Sequence, residues 1–466
     1  MDGLEAVEMK LSEVLDDNDS FRFDSEFFKK EYLDIDLKIH QHMTEKLGKI
    51  SVWVTQGSNP IFTQNGIHCL TGRNVKTGTV DYNDSDFVDL QEYKKLKRFQ
   101  IQQNDILITL KGKGSIGKIG FVTEVQQAIF SRDIGLIRIN SSKIKQAFIN
   151  TFLITKFGSK IIEKGETGGT GQSTLTTSYI KNISIPIFRE TFQTRIETFV
   201  LSAHQKLEQS KQLYQSAEAM LLKELGFDDF SLTCNNVAIK SLSESFSVSG
   251  RLDAEYYQPK YDAILEKIQS YRGGFDLVKN LFTQNKTSYV RNKKSYYYIE
   301  ISDINVSNGE IIPNEILVEE LPDNAKIKVS KGDILVSKVR PYRGAVGIVD
   351  ENDKDLICSG AFTVLKEKGK ILKETLVILF RLSYYKDLLL KYNVGTSYPV
   401  IKDEDILNLP IPFIDEVIQK NIASNIQKSF ALRNESKQLL AKAKAAVECA
   451  IEQGEAYAID TFFYDL

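Results

Sequence analysis

The glycine- and lysine-rich segment at residues 110–122, LKGKGSIGKIGFV, has the composition of a loop that binds phosphate groups. Gly112, Gly117 and Lys118 have the spacing of a nucleotide-binding P-loop, in which backbone amides and a lysine hold the phosphates. A P-loop also needs a serine or threonine after the lysine to bind Mg²⁺, and then a helix whose N-terminus faces the phosphates. Here Ile119 follows the lysine and the next residues are β-type. The context therefore argues against nucleotide binding.

Other patterns of catalytic or metal-binding residues are weak. The nine prolines are never adjacent, so the chain lacks the proline pair of the turn that amino-methyltransferases use. The segment Asn59-Pro60-Ile61-Phe62 comes nearest, and we interpret it as a turn. His40 and His42 lie two residues apart, on different faces of a helix, and the four cysteines form no CxxC pair. We therefore expect no metal site, no cofactor bound by this chain and no catalysis.

The composition is that of an ordinary globular protein, with 466 residues, 42% hydrophobic and 26% charged content and a net charge of −2. No apolar run approaches the roughly 20 residues needed to cross a bilayer, and the acidic N-terminus lacks the order of a signal peptide. Scattered cysteines suit free thiols in a reducing compartment. We expect a cytoplasmic protein of two or three domains.

The chain contains the same ordered set of segments twice. The repeated pairs are RFDSEFF and RLDAEYY (22–28 and 251–257), DILIT and DILVS (105–109 and 333–337), and SKQL in both halves (210–213 and 436–439). The distance between the copies drifts only from 229 to 226 residues along the chain. This regular spacing predicts one architecture used twice, with small changes in the loops.

Each repeat has the same internal order: a polar-aromatic segment predicted as a short helix, β-type runs interleaved with helical ones, a proline-bearing strand and a long helix. Residues 190–225 would form a rod of roughly 54 Å. In both long segments, apolar and small residues alternate spacings of four and three, which is typical of a heptad seam. The predicted apolar seam residues are Ile196, Val200, Leu207, Leu221, Ile422, Ile426, Leu440 and Val447. Small seam residues such as Ser210 and Ser429 favour close packing of the two helices on each other.

This duplicated order resembles one family, the DNA-specificity subunits of type I restriction–modification systems, from about residue 8 to 455. The resemblance includes the IPIF and LPIPF strands and the glutamine that opens each long helix, Gln193 and Gln419. It implies an α+β fold with two β-rich target recognition domains in pseudo-twofold repeat, separated by two long antiparallel coiled-coil helices. The expected boundaries are 1–188 for recognition domain 1, 189–226 for spacer helix 1, 227–413 for recognition domain 2, and 414–466 for spacer helix 2 and the C-terminal tail.

The resemblance also implies a function. Each domain would read one half of an asymmetric bipartite target in double-stranded DNA, and the helices would dock two methyltransferase subunits, with restriction subunits as further possible partners. The chain would be non-catalytic; the assembled complex would use S-adenosylmethionine, and ATP with Mg²⁺ if a restriction subunit is present. Two alternatives stay open: a recognition module of another DNA-modifying system, and a coiled-coil interaction protein that does not bind nucleic acid.

Basic clusters without acidic neighbours in the sequence are the candidate DNA contacts, against the alternative of solvated turns. They occur in the loop after each DIL strand, in the 286–294 segment, and in the GRNVKTG turn, which we interpret as the counterpart of that segment. Two further loops, GETGGTGQS (165–173) and YNVGTSY (392–398), precede the proline strands. The predicted contacts to phosphates or base edges are Arg73, Lys76, Lys111, Lys113, Lys118, Gln172, Lys286, Arg291, Lys293, Lys338, Arg340, Tyr342 and Arg343.

Overall fold

A computed structural model of the chain describes residues 7–15, 18, 22–112, 114–141, 143–168, 173–231, 237–350, 355–395 and 398–464. The chain forms two compact units. Unit 1 comprises Met1–Glu208 and Arg433–Leu466, and unit 2 comprises Gln209–Leu432. The two long helices predicted from the sequence are present, and each contributes one half to each unit. The finer domain boundaries given above stay predictions.

The first repeat alternates short strands and helices and ends in the first long helix. Its helices are α1 Leu11–Leu15, α2 Lys30–His40, α3 Leu47–Ile50, α4 Leu90–Lys95, α5 Gln146–Leu153, α6 Lys156–Lys164, α7 Thr177–Asn182 and α8 Glu190–Leu225. Its strands are β1 Thr44–Lys46, β2 Ser51–Gln56, β3 Ile67–Leu70, β4 Val75–Lys76, β5 Thr79–Val80, β6 Asp86–Val88, β7 Ile106–Thr109, β8 Ile119–Phe121, β9 Ala128–Phe130, β10 Ile134–Ile139 and β11 Ser184–Pro186.

The second repeat follows the same order. Its helices are α9 Phe246–Ser249, α10 Pro259–Gln269, α11 Val278–Leu281, α12 Lys373–Arg381, α13 Ser383–Lys391, α14 Asp403–Leu407, α15 Glu416–Gln453 and α16 Glu455–Phe462. Its strands are β12 Phe275–Leu277, β13 Phe282–Gln284, β14 Ser295–Ile299, β15 Asn314–Leu317, β16 Ala325–Lys328, β17 Ile334–Ser337, β18 Val346–Ile348, β19 Leu356–Ser359, β20 Phe362–Glu367 and β21 Pro410–Pro412. The short helices predicted in the polar-aromatic segments are confirmed as α2 and α10.

The central element of unit 1 is a four-stranded antiparallel sheet with the order β2-β10-β7-β8. Strand β7 is buried on both faces: Ile106 and Ile108 belong to a core that includes residues of α5 and both long helices, whereas Leu107 belongs to a second core on the opposite face. Because successive strand residues point to opposite faces, the apolar ILIT run fills both cores. A smaller sheet has the order β6-β3-β9 and pairs β3 with β9 in parallel.

Unit 2 repeats this topology. Its main sheet has the order β13-β20-β17-β18, in which Ile334 and Val336 face one core and Leu335 faces the other. The second sheet, β15-β14-β19-β16, also contains a parallel pair, β14 with β19, and adds β16 at its edge. The fold class and the internal repeat predicted from the sequence are therefore confirmed.

A buried glutamine ties the start of each long helix to the first helix after the main sheet, α5 in unit 1 and α12 in unit 2. Oε1 of Gln193 accepts a hydrogen bond from the N–H of Lys145 at 2.8 Å, and Nε2 donates to the carbonyl of Phe188 at 2.8 Å. Lys145 is the N-cap residue of α5, so the glutamine binds a backbone donor that α5 itself leaves unpaired. Gln419 makes the equivalent hydrogen bonds, to the backbone of Leu372, Lys370 and Ile414.

Within unit 1, the N-terminal half of α8 packs antiparallel against the C-terminal half of α15. Lys206 forms an ion pair with Glu435 at 2.5 Å, and the ammonium of Lys442 lies 5.1 Å from the centre of the Phe199 ring. Residue numbers therefore rise along one helix as they fall along the other. The structure places the predicted seam residues of this unit as follows: three are buried in its core, Leu440 packs against that core, and Leu207 is half-buried. The three buried residues are Ile196, Val200 and Val447.

Within unit 2, the remaining halves of the same helices meet at two serines. Their hydroxyl oxygens, Oγ of Ser210 and Oγ of Ser429, lie 2.9 Å apart, and Ser429 Oγ also lies 2.8 Å from the backbone carbonyl oxygen of Ser210. A serine side chain reaches the backbone of a neighbouring helix only when the two helices are close. The small residues at this point of the seam therefore allow the close packing of the two helices. The seam residues Leu221, Ile422 and Ile426 are buried in the same unit.

Among the described residues, none of the helices combines the length and apolar character of a membrane span. The described cysteines Cys69, Cys358 and Cys449 are free thiols. Burial raises the pKa of both Cys69 and Cys358 to about 12, which leaves these two thiols unreactive at neutral pH.

Replacing Gln193 with alanine should lower the free energy of unfolding by roughly 2 kcal/mol, because the N–H of Lys145 and the carbonyl of Phe188 lose a buried partner. Urea unfolding followed by circular dichroism measures the change. The matched control is Gln205→Ala, which removes an exposed glutamine from the same helix and the same unit. Equal unfolding midpoints for the two variants would show that the buried glutamine does not stabilise unit 1.

Candidate nucleic-acid interface

The basic segment of the first repeat is the loop of a β-hairpin. Strands β7 and β8 pair antiparallel, and the N–H of Gly117 donates to the carbonyl of Thr109 at 2.8 Å to close the loop. Gly114 and Gly117 have φ angles of 72° and 74°, a backbone conformation that favours glycine. Strand β8 follows Lys118 at the position where a P-loop has a helix, as the sequence analysis expected.

The base of the hairpin loop pairs with described residues at the ends of the glycine- and threonine-rich segment of the same unit. Lys111 forms a β-bridge with Thr174, and Thr174 forms another with Thr167. The N–H of Leu175 also donates to the carbonyl of Leu110 at 2.9 Å. The fold therefore brings together two segments that the sequence analysis identified separately. The predicted contacts Lys113 and Gln172 lie outside the described residues.

A polar groove of about 890 Å³ in unit 1 collects four of the predicted DNA contacts. Its lining residues are Ser58, Asn59, Pro60, Phe62, Thr71, Gly72, Arg73, Lys76, Asp86, Lys111, Ser115, Lys118, Ser131, Arg132 and Asp133. Five of these side chains are cationic and two are acidic, so the groove favours an anionic ligand. The sequence analysis missed Arg132. This residue follows strand β9 and has no basic neighbour in the sequence, so it does not belong to any of the basic clusters.

The cations of the groove differ in how they are held. The guanidinium of Arg73 donates to the carboxylate of Asp86 and to the carbonyl of Asp84, both at 2.6 Å, so it is fixed to the wall of the groove. The ammonium groups of Lys76 and Lys118 are exposed and form no ion pair with the described residues. Together with Arg132, which is also exposed and forms no ion pair with the described residues, these two lysines are the groove cations most available to an external phosphate.

The loop of the second hairpin, between β17 and β18, has a different structure. Arg340 adopts a left-handed backbone conformation with φ of 47°, and its guanidinium stacks 4.6 Å from the centre of the Tyr398 ring. Val339 forms a β-bridge with Val400, which matches the bridge between Lys111 and Thr174 in unit 1. Tyr342 and Arg343 are exposed beside them.

We expected Lys338 to be a free cation, but its side chain is ion-paired and mostly buried. Its ammonium lies 3.1 Å from Asp403, and the two side chains are only 19% and 23% exposed. Burial raises the pKa of Asp403, but hydrogen bonds from Thr363 and Lys338 outweigh this effect and hold the pKa below its usual value. The sequence showed no acid near Lys338 because Asp403 is 65 residues away along the chain.

The remaining basic cluster of unit 2 lies on the loop between β13 and β14. Lys286, Arg291 and Lys293 are all exposed there; Arg291 Nε donates to the hydroxyl of Tyr289 at 3.1 Å, and Lys293 lies 3.5 Å from Asp355. The matching loop in unit 1 is residues 57–66, between β2 and β3. The prediction that the turn with Arg73 and Lys76 is the counterpart of this cluster is therefore wrong.

The true counterpart of that turn is the 3₁₀ turn at Ile301–Asp303. Gly72–Asn74 follows β3 and Ile301–Asp303 follows β14, and each turn has a capping box at its start. The sequence comparison failed here because the acidic turn of unit 2 shares no residue types with the basic turn of unit 1. No group of three or more His, Cys, Asp or Glu side chains that could hold a metal ion occurs within the described part of the chain.

Comparisons with known proteins agree with the duplicated architecture. The family model described as "Type I restriction modification DNA specificity domain" matches residues 57–218 and again residues 275–444. Among curated relatives, the specificity subunit of the type I restriction enzyme HindI of Haemophilus influenzae is 27% identical over 128 residues, which is 25% of this chain and 28% of that protein. The MjaVIII specificity subunit of Methanocaldococcus jannaschii is 27% identical over 129 residues, or 27% of this chain and 30% of that protein. These alignments span less than a third of each relative.

Solved structures of similar proteins include a type I restriction–modification S subunit from M. genitalium. It has a TM-score of 0.43 and 13% identity, and the match covers 88% of this chain and 95% of that one. The HsdS subunit from Thermoanaerobacter tengcongensis has a TM-score of 0.29 and 12% identity, with 88% and 97% coverage.

Replacing Lys338 with methionine should lower the free energy of unfolding by roughly 1–2 kcal/mol at pH 7, because the mostly buried carboxylate of Asp403 loses its cation. Since the folded-state pKa of Asp403 is lowered, the pair stabilises the protein above the unfolded pKa of about 3.9, and this stabilisation is lost as the pH falls through the folded pKa. The measurement is the urea midpoint of wild type and variant between pH 7 and pH 3. Arg343→Met, in the same loop but exposed, is the control and should leave the midpoint unchanged. A Lys338→Met midpoint equal to that of wild type at pH 7 would leave Lys338 free to serve an external phosphate.

Proposed function

The chain belongs to the family of type I restriction–modification DNA specificity domains, and from this premise we propose that it is the subunit that selects the DNA sequence modified by such a complex. Each unit reads one half of a bipartite target in double-stranded DNA. The duplication of the chain supports this proposal most directly. The family model matches once in each repeat, and each match contains one hairpin with a cationic loop.

The two units read different half-sites. Their hairpin loops have the same frame but different side chains, with lysines and glycines in unit 1 and Arg340, Tyr342 and Arg343 in unit 2. Base edges in the major groove are distinguished by the identity and placement of such side chains, whereas phosphate contacts set position and affinity. The target is therefore asymmetric.

The long helices set the spacing between the half-sites, because the distance between two reading elements must match the distance between their sites on the duplex. The same helices dock two methyltransferase subunits, and restriction subunits join where the system has them. The chain itself carries out no catalysis. S-adenosylmethionine serves the methyltransferases, and ATP with Mg²⁺ serves a restriction subunit. We place the complex in the cytoplasm, where the described cysteines stay as thiols.

The sharpest test replaces residues 44–186 with residues 275–412, so that unit 1 receives a second copy of the reading part of unit 2. The ends of each segment are adjacent in their own unit because β1 pairs with β11 and β12 pairs with β21. The exchange should change only one half-site and convert the asymmetric target into an interrupted palindrome. Co-expression with the methyltransferase subunit of the same system, followed by sequencing of methylated bases, gives the result.

The wild-type chain, expressed with the same methyltransferase in the same host, provides the reference target. A chimera that changes both half-sites, or that leaves both unchanged while it still supports methylation, would contradict the assignment of one half-site to each unit. If the complex with the wild-type chain methylates DNA without any sequence preference, the proposed function as a whole is contradicted.

The free groove lysines give a second test. Lys76→Ala and Lys118→Ala should each reduce the slope of log Kobs against log salt by about 0.9, because each removes one phosphate contact and its released counterion. Fluorescence anisotropy of the methyltransferase complex on the mapped target measures the slope. Lys49→Ala, an exposed lysine of unit 1 outside the groove, should leave the slope unchanged. Unchanged slopes for both groove variants would place the phosphates elsewhere.

A further inference from the structure

The loop between β2 and β3 in unit 1 and the matching loop between β13 and β14 in unit 2 each present an apolar side chain to solvent at their tip. We propose that these tips, Ile61 with Phe62 in unit 1 and Val290 in unit 2, contact the 5-methyl groups of thymines in the major groove. This inference rests on the proposed function and extends it to one class of base at each half-site.

The apolar tip of unit 1 is held in an exposed position. Ile61 is 71% exposed and Phe62 is 52% exposed, although both are large hydrophobic residues. The loop is fixed on either side of them, because Ser58 forms a β-bridge with Ser131 and the N–H of Thr63 donates to the carbonyl of Phe87 at 2.8 Å. The two exposed side chains therefore lie on a loop whose backbone is held in place on both sides.

Tight backbone packing at the start of this loop constrains its conformation further. A Cβ atom added to Gly57 would lie 2.3 Å from the carbonyl oxygen of Ser131, so the loop leaves β2 in direct backbone contact with the residue after β9. The neighbouring Arg132 lines the groove together with Phe62. The tip and the groove cations are consequently parts of one surface.

Unit 2 has the same feature at the same place in its topology. Val290 is 72% exposed. Its loop is also fixed, since Ser288 forms a β-bridge with Ile327 and the hydroxyl of Tyr296 donates to the carbonyl of Val290 at 2.5 Å. The same hydroxyl accepts a hydrogen bond from the N–H of Asn292 at 2.9 Å. Two unrelated sequences, NPIF and YVRN, thus place an aliphatic residue at the tip of equivalent loops.

The surroundings of the two tips favour DNA as the ligand. The tip of unit 1 borders a groove with five cationic side chains, and in unit 2 exposed Lys286, Arg291 and Lys294 lie on the same loop as Val290. An apolar tip of one or two residues within a cationic surface matches a duplex, where phosphates surround the base edges. In the major groove the thymine methyl is the one apolar group on a base edge, and the minor groove presents none. The apolar tips therefore fit thymine in the major groove.

The test uses the complete complex with its methyltransferase on the duplex target mapped by sequencing. Each thymine of the half-site read by unit 1 is replaced in turn by uracil, which removes only the methyl group. At least one replacement should weaken binding by the wild-type complex about fourfold, the effect of one buried methyl group. The Ile61→Ala, Phe62→Ala double variant should bind the thymine and uracil duplexes equally. Val290→Ala should abolish the corresponding discrimination at the other half-site and leave the first one unchanged.

The matched control is Val52→Ala, which removes an exposed aliphatic side chain at the opposite end of strand β2, away from the groove. It should keep the wild-type ratio of thymine to uracil affinity. The proposal is overturned if no uracil replacement affects the wild-type complex, if the tip variants keep the wild-type ratio, or if the half-site contains no A·T pair. A complex that binds and methylates its target normally in these cases leaves the proposed function intact, whereas a complex without any sequence preference contradicts the proposed function.

Discussion

The candidate hairpin of each unit depends on one strand that is buried on both faces. In β7, Ile106 and Ile108 pack into one core while Leu107 packs into the other, and β17 repeats the arrangement. A strand clamped in this way cannot tilt without opening two cores, so its hairpin loop has a fixed direction. The backbone of the loop is then constrained while its side chains are free to differ. In the proposed function, this separation would let one scaffold serve two different half-sites.

The residues that repeat between the two halves mostly serve the scaffold. The arginine of the RFD and RLD motifs forms a bidentate pair with the aspartate two residues later. Arg22 also donates to the carbonyls of Lys164 and Glu166, and Arg251 donates to the carbonyl of Asn393. These carbonyls lie at the start of the glycine-containing loop beside each hairpin. The motif that identifies the repeat therefore holds a candidate contact loop in place without being part of the contact surface.

This division explains what the sequence could and could not predict. The long helix at residues 190–225, the seam and the two hairpins were predictable because their periodic patterns are local. The partners of the cations were not, because Arg73 meets Asp86 and Lys338 meets Asp403 only after the sheets have formed. Arg132 was missed because it has no basic neighbour in the sequence and joins the other groove cations only through the fold. The counterpart of the GRNVKTG turn was assigned wrongly because it was chosen by charge, and this basic turn of unit 1 corresponds to an acidic turn in unit 2.

The connection between hairpin and helix also differs between the units. In unit 2, buried Arg381 donates to the carbonyls of Gly344 and Val346 in the hairpin and to the hydroxyl of Tyr214 on α8. In unit 1, the equivalent positions are Ile154 and Leu440, and the residues that follow β8 reach α8 through Thr123, whose hydroxyl lies 3.1 Å from Nδ1 of His204. A hydrogen bond fixes direction as well as distance. The second hairpin is thus joined to its helix through a buried cation, and the first through a hydrogen bond between a threonine and a histidine. In the proposed function, the two half-sites would therefore differ in the side chains that face the bases and in the contacts that hold each hairpin to its helix.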